Sequence, residues 1–160
     1  YDIMPSLVGS EMCIRDSVQR VLFLKNVPLF STMPPDTLAW VAEAADEVNY
    51  LAGQTIFEKG SRGDSMYVIA DGTVIIHDEG KTLAELPREA FFGELSILDG
   101  ETRSASAKAK SDCLLLVIRQ ASFHRILSKQ FDVTESLLKI LVRRIREQSA
   151  QIQNQNENSN

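Results

Sequence analysis

The sequence predicts an α+β domain: a jelly-roll-like antiparallel β-barrel of about eight strands, with one short helix inserted and helices on either side. Three observations predict it. Seven of the eight glycines fall between Gly53 and Gly100, separating short β-branched or aromatic runs at 55–57, 66–70, 73–76 and 82–86. Short strands about every 8–12 residues with turn signals between them make a sandwich or barrel. Apolar residues on either side of this block recur at helical spacing instead. The composition, 44% hydrophobic and 24% charged over 160 residues, suits one globular domain of the usual ~100–200 residues.

Residues 1–17 carry Pro5, Gly9 and Cys13 with no sustained period. They lack the charged and apolar regions of a signal peptide. The stretch 6–16 resembles a translated sequencing-adapter tract, so 1–17 is expected to be a disordered or non-native leader and the chain a fragment whose upstream sequence is missing. From Val18 the pattern is regular. Val18, Val21, Leu22 and Leu24 form a helical stripe that Asn26 to Pro28 ends. Pro34 and Pro35 open a second helix, where a missing N–H costs nothing, and Leu38, Val41, Ala42 and Ala45 give it an apolar face.

Within the glycine-rich block, Asp71-Gly72 between two apolar runs predicts a hairpin. Further breaks fall at Gly53, at 59–63 and at Glu79-Gly80. A last strand over 114–119 is apolar up to Ile118, which implies burial on both faces. Helices follow at 121–129 and 132–148. Residues 149–160, mostly Asn and Gln, predict a disordered polar tail. The domain therefore runs from 18 to 148.

A net charge of −5 with pI near 5.1 argues against a nucleic-acid surface. The longest apolar run, Cys113 to Ile118, falls far short of the ~18 residues of a membrane span. Two cysteines a hundred residues apart suit neither a disulfide framework nor a zinc site, so a reducing, cytoplasmic setting is expected. His77 and His124 stand on different elements and form no metal pair. No serine or cysteine has a histidine at a recognisable spacing, so no catalytic residues are expected. The basic residues Arg143, Arg144 and Arg146 lie near the expected end of the last helix, where cations complement the dipole. Leu138, Leu141, Ile145 and Ile152 approximate a seam through which a homodimer could form. The 13 residues after Glu147 are too few for a helix-turn-helix, so an effector is expected upstream or in a separate protein.

One stretch, 91–106, interrupts the strand rhythm. Residues 94–98 read as a single helical turn between Gly93 and Gly100, with the strand resuming at Thr102. The first N–H groups of such a helix lack intrahelical partners and favour an anion, most naturally phosphate; Gly93 lets a ligand approach the backbone. Arg103, nine residues beyond Glu94, can give a phosphate two parallel hydrogen bonds. Glu94 would repel a phosphate. As an acceptor it suits a neutral donor beside one, a ribose hydroxyl. Ser104 can add a hydroxyl to the phosphate, and small Ala105 leaves room for a purine.

With Phe92, Gly93, Glu94 and Leu95 followed by Arg103, Ser104 and Ala105, the chain resembles the cyclic nucleotide-binding domain family in residue kind, order and spacing. The tract 24–30 and the 60–64 turn followed by 66–69 are also similar to that family, and the resemblance covers about 18–146. It implies a binding site made of Phe92, Gly93, Glu94, Leu95, Ser96, Arg103, Ser104 and Ala105. Glu94 would take the ribose 2′-OH and Arg103 the cyclic phosphate. Backbone N–H groups of 93–96 and the Ser104 hydroxyl would complete the cradle. The implied ligand is cAMP or cGMP, with cAMP favoured, and the implied role is a regulatory sensor closed by its C-terminal helices, with no metal. Thr102 stands where the family commonly has Pro, and Ser96 where it commonly has Ala. The base is expected under the last helix, with Thr134, Leu138, Leu141 or Arg143 as its cap. The alternative is a degenerate domain of the same fold that serves as a structural or oligomerisation module of a larger protein.

Overall fold

The computed structural model describes residues 16–159. The expected leader thus lies outside the described residues except for its last two positions, which belong to the first helix: Asp16 is the N-cap of α1 (Ser17–Lys25), its Oδ1 accepting from the Gln19 N–H at 2.8 Å. Cys13 also lies outside them. Helix α2 (Pro35–Ala44) starts at the prolines, as expected.

Eight strands follow: β1 (Asp46–Tyr50), β2 (Thr55–Phe57), β3 (Ser65–Asp71), β4 (Val74–Asp78), β5 (Lys81–Leu86), β6 (Phe91–Phe92), β7 (Ser106–Ala109) and β8 (Cys113–Arg119). They make two four-stranded antiparallel sheets in the orders β1-β8-β3-β6 and β2-β7-β4-β5, the strand order of a double-sheet jelly roll. Helix α3 (Glu94–Asp99) is inserted between β6 and β7, and α4 (Gln120–Lys129) and α5 (Phe131–Asn158) close the chain.

The first sheet is the middle layer. Alternating side chains of its strands divide between two cores. Met66, Val68, Leu114, Leu116 and Ile118 pack with Leu24, Leu38, Phe123, Ile126 and Leu137 of the helices. Ile69, Cys113 and Leu115 pack with Val74, Ala107 and Ala109 of the second sheet. Burial on both faces is why β8 reads as an unbroken apolar run.

Four expectations are corrected. Asp71-Gly72 does not close a hairpin: β3 pairs with β6 and β8, and β4 with β5 and β7, so this turn is a corner between sheets. A tight turn needs the same residues wherever the next strand goes, so local sequence cannot separate the two cases. The local hairpin is β4–β5, closed by Glu79 and Gly80, both at positive φ. The strand expected from Thr102 starts at Ser106; before it, Thr102 makes only an isolated bridge to Arg62. Finally, 149–158 continue α5, exposed throughout. Extending an existing helix adds one hydrogen bond per residue ordered and avoids the cost of nucleation, so a polar tail rich in Gln and Asn remains helical. The basic run is consequently in mid-helix, and the dipole explanation for it fails.

Candidate functional site

A cavity of about 450 Å³ opens between α3, the β4–β5 hairpin, the 103–105 segment and α5. All eight sequence-predicted residues line it: Phe92, Gly93, Glu94, Leu95, Ser96, Arg103, Ser104 and Ala105. Phe92, Glu94, Ser96 and Arg103 are buried, whereas Leu95 and Ser104 are exposed.

The Arg103 backbone is tied to the 60–61 turn, its N–H donating to the Ser61 carbonyl and its carbonyl accepting from the Gly60 N–H, both at 2.8 Å. Its side chain runs inward, 4% exposed. Nη1 donates to the Gly93 carbonyl and Nη2 to the Ser65 carbonyl, each at 2.8 Å, while the buried Nε–H has no partner. The guanidinium lies 4.2 Å from the ring centroid of Phe57 and 5.8 Å from that of Tyr67. Burial pulls its pKa below the ordinary arginine value, opposed by Tyr67, Asp64 and Glu94; with so high a starting point, it stays a cation.

Two glycines make room for this side chain. Gly93 sits at φ +83°, and a Cβ there would come within 2.8 Å of Arg103 Nη1. A Cβ on Gly63 would come within 2.5 Å of the Ser96 Cβ and 2.7 Å of Arg103 Nε. Glycine at 93 is therefore required by the backbone angle and by Arg103, a reason beyond the ligand access expected from sequence.

Glu94, 2% exposed at the start of α3, does not pair with Arg103. Its Oε1 accepts from Arg144 Nη1 of α5 at 2.5 Å, and the Arg144 guanidinium lies 5.2 Å from the Phe91 ring centroid.

The four cap candidates do not line the cavity. Thr134 donates to the Leu127 carbonyl at 2.8 Å, Leu141 packs on the helical core, and Leu138 is 58% exposed. From α5 the cavity is lined by Arg144, Glu147, Gln148 and Gln151. These positions are spaced by three and four, one helix face, and that polar period was a signal in the sequence. Its inward direction became visible only once α5 was placed against α3. No group of His, Cys, Asp and Glu able to hold a metal occurs among the described residues, and no helix among them is long and apolar enough to cross a membrane.

The family model described as cyclic nucleotide-binding domain matches residues 47–130. The cAMP-dependent protein kinase regulatory subunit of Aspergillus fumigatus is 36% identical over 113 residues, 69% of this chain and 27% of that protein. The cGMP-dependent protein kinase of Caenorhabditis elegans is 32% identical over 119 residues, 74% of this chain and 14% of that protein. The chain spans about a quarter or less of the length of these curated relatives. Among solved structures, the catabolite activator protein of Thermus thermophilus has a TM-score of 0.71 at 32% identity, covering 78% of this chain and 61% of that one. The cAMP-bound regulatory domain of Toxoplasma gondii PKA shares the fold, with a TM-score of 0.71 at 23% identity over 79% of this chain and 50% of that one.

Proposed function

The chain belongs to the cyclic nucleotide-binding domain family, and from that membership we propose that it is a non-catalytic sensor holding cAMP, in preference to cGMP, in the cavity beneath α5. The observation that carries the proposal is Arg103, a buried guanidinium on the cavity wall with an unpartnered Nε–H and no ion pair among the described residues. A buried cation with no carboxylate in contact is costly, and a cyclic phosphate supplies both a negative charge and acceptor oxygens. The cavity, about 450 Å³, falls within the ~300–1,000 Å³ of small-molecule sites.

In this reading Arg103 takes the phosphate, assisted by the Ser104 hydroxyl and the N–H groups of 93–96. Glu94 accepts from the ribose 2′-OH, and Ala105 leaves space for the purine beside Phe92 and Leu95. Because Glu94 also accepts from Arg144, the ribose and α5 use one acceptor. Ligand occupancy would thereby bias where the C-terminal helices sit, to the extent that the nucleotide binds the two placements differently. The regulated effector is a further domain or a separate protein, in the cytoplasm. Exposed Leu138, Val142, Ile145 and Ile152, spaced by four, three and seven, support a homodimer through α5.

The competing reading, a structural module without ligand, has the Arg144–Glu94 pair in its favour, since that pair already satisfies the acceptor. Isothermal titration with cAMP and cGMP decides. Dissociation constants near micromolar, about 8 kcal/mol, with cAMP the tighter ligand, are expected. No heat and no thermal shift at millimolar nucleotide would leave the structural reading standing, and AMP accumulating on incubation would contradict a non-catalytic role.

A further inference from the structure

The Arg103 guanidinium has an aromatic neighbour whose position neither the phosphate nor the ribose explains. The Phe57 ring lies 4.2 Å from it, the shortest cation–ring approach among the described residues. Strand alternation would turn Ile56 and Phe57 to opposite faces, yet both pack against the cluster between the sheets. The register of β2 explains how: Thr55 faces Lys108 and Phe57 faces Ala107, two steps on one strand against one on the other. A bulge of this kind re-aims a side chain, and this one aims Phe57 at Arg103. The ring is held in turn by Tyr67 and Phe92, with centroids at 5.8 and 5.9 Å, and those two rings stack at 5.1 Å. The Gly93 and Ser65 carbonyls fix the guanidinium within its plane, and its face meets the Phe57 ring. A leucine would fill the space of Phe57 without offering a π face to a cation that burial has stripped of water.

We infer that Phe57 is a positioning residue for the anion-binding arginine, its π face fixing the guanidinium plane so that the free N–H groups point at the ligand phosphate. The inference rests on the proposed role of Arg103 in taking the cyclic phosphate.

Its test combines binding with a signal that needs no ligand. Phe57→Leu should weaken cAMP binding about 3- to 30-fold, with Phe57→Tyr within about twofold of the parent, while both variants unfold as cooperatively as the parent. In an Arg103→Ala background, Phe57→Leu should cause no further loss. In the free protein, the Arg103 Nε–H proton resonance should carry a ring-current shift that Phe57→Leu reduces and Phe57→Tyr keeps. An unchanged affinity for Phe57→Leu, or a loss that persists without Arg103, overturns the inference. So does an Nε–H resonance indifferent to the substitution. Failure of the parent protein to bind any cyclic nucleotide would instead remove the proposed function, and the resonance would still report whether Phe57 holds Arg103.

Discussion

Arg103 and Glu94 stand on one cavity wall, yet each has found other partners: two carbonyls and an aromatic face for the cation, Arg144 for the carboxylate. Both are thus held by groups that do not neutralise them against each other, as a site for a ligand with one charged and one neutral polar end requires. Arg103→Ala should weaken cAMP binding by about 2–4 kcal/mol, since charge-assisted bonds are worth about 1.5–3 kcal/mol and the phosphate loses its counter-charge; an unchanged dissociation constant by titration would contradict this. Glu94→Gln should harm cAMP more than 2′-deoxy-cAMP, and equal losses for the two would mean that Glu94 does not read the sugar. Gly63→Ala places a Cβ 2.5 Å from that of Ser96 and 2.7 Å from Arg103 Nε. Overpacking of this kind costs about 1–3 kcal/mol, which urea unfolding should show, with weaker nucleotide binding beside it because Arg103 must shift.

At the scale of elements, the site is assembled where β6 hands over to α3 and where the 103–105 segment returns beside the 60–61 turn. Helix α5 contributes differently along its length. Val133 and Leu137 are buried against the helical core, Arg144, Glu147, Gln148 and Gln151 face the cavity, and the final turns are exposed. Removal of residues 153–160 should therefore change unfolding free energy by no more than about 0.5 kcal/mol while reducing helicity by circular dichroism. A larger destabilisation would mean that the last turns are covered in solution. The strands most readable from sequence were those with β-branched or aromatic runs, β2 through β5 and β8. The charged β1 and the small-residue β7 carry little intrinsic preference for a strand. They are strands because β8 and β4 pair with them, and such context outweighs propensity in sheets.

For the whole molecule, a ligand that binds only the folded state stabilises it by mass action. At a cAMP concentration 100 times the dissociation constant the gain is about 2.7 kcal/mol, and in a chain of this size each kilocalorie moves the midpoint by roughly 2–4 °C. Calorimetry should therefore show a rise of about 5–10 °C with cAMP and none with AMP at the same concentration, because AMP presents an open monoester in place of the cyclic phosphate. The same layering that buries the first sheet on both sides places the helices on one face and the second sheet on the other. The cavity sits at the margin where α5 leaves the helical core and passes the second sheet.

Local sequence alone determined that this chain forms a strand-rich domain with one helical turn set into it, and its resemblance to a family named eight of the residues that line the cavity. Those features depend on near neighbours in the chain: glycines that break strands, apolar alternation, and an acid and a base placed nine residues apart. Only the tertiary structure decided that Asp71-Gly72 turns a corner between sheets, that Arg144 meets Glu94 across fifty residues, and that Phe57 lies on Arg103. Each of these is a contact between segments distant in sequence. Its energy comes from burial and charge compensation that exist only after the sheets and helices have packed, so no local pattern encodes which partner is met.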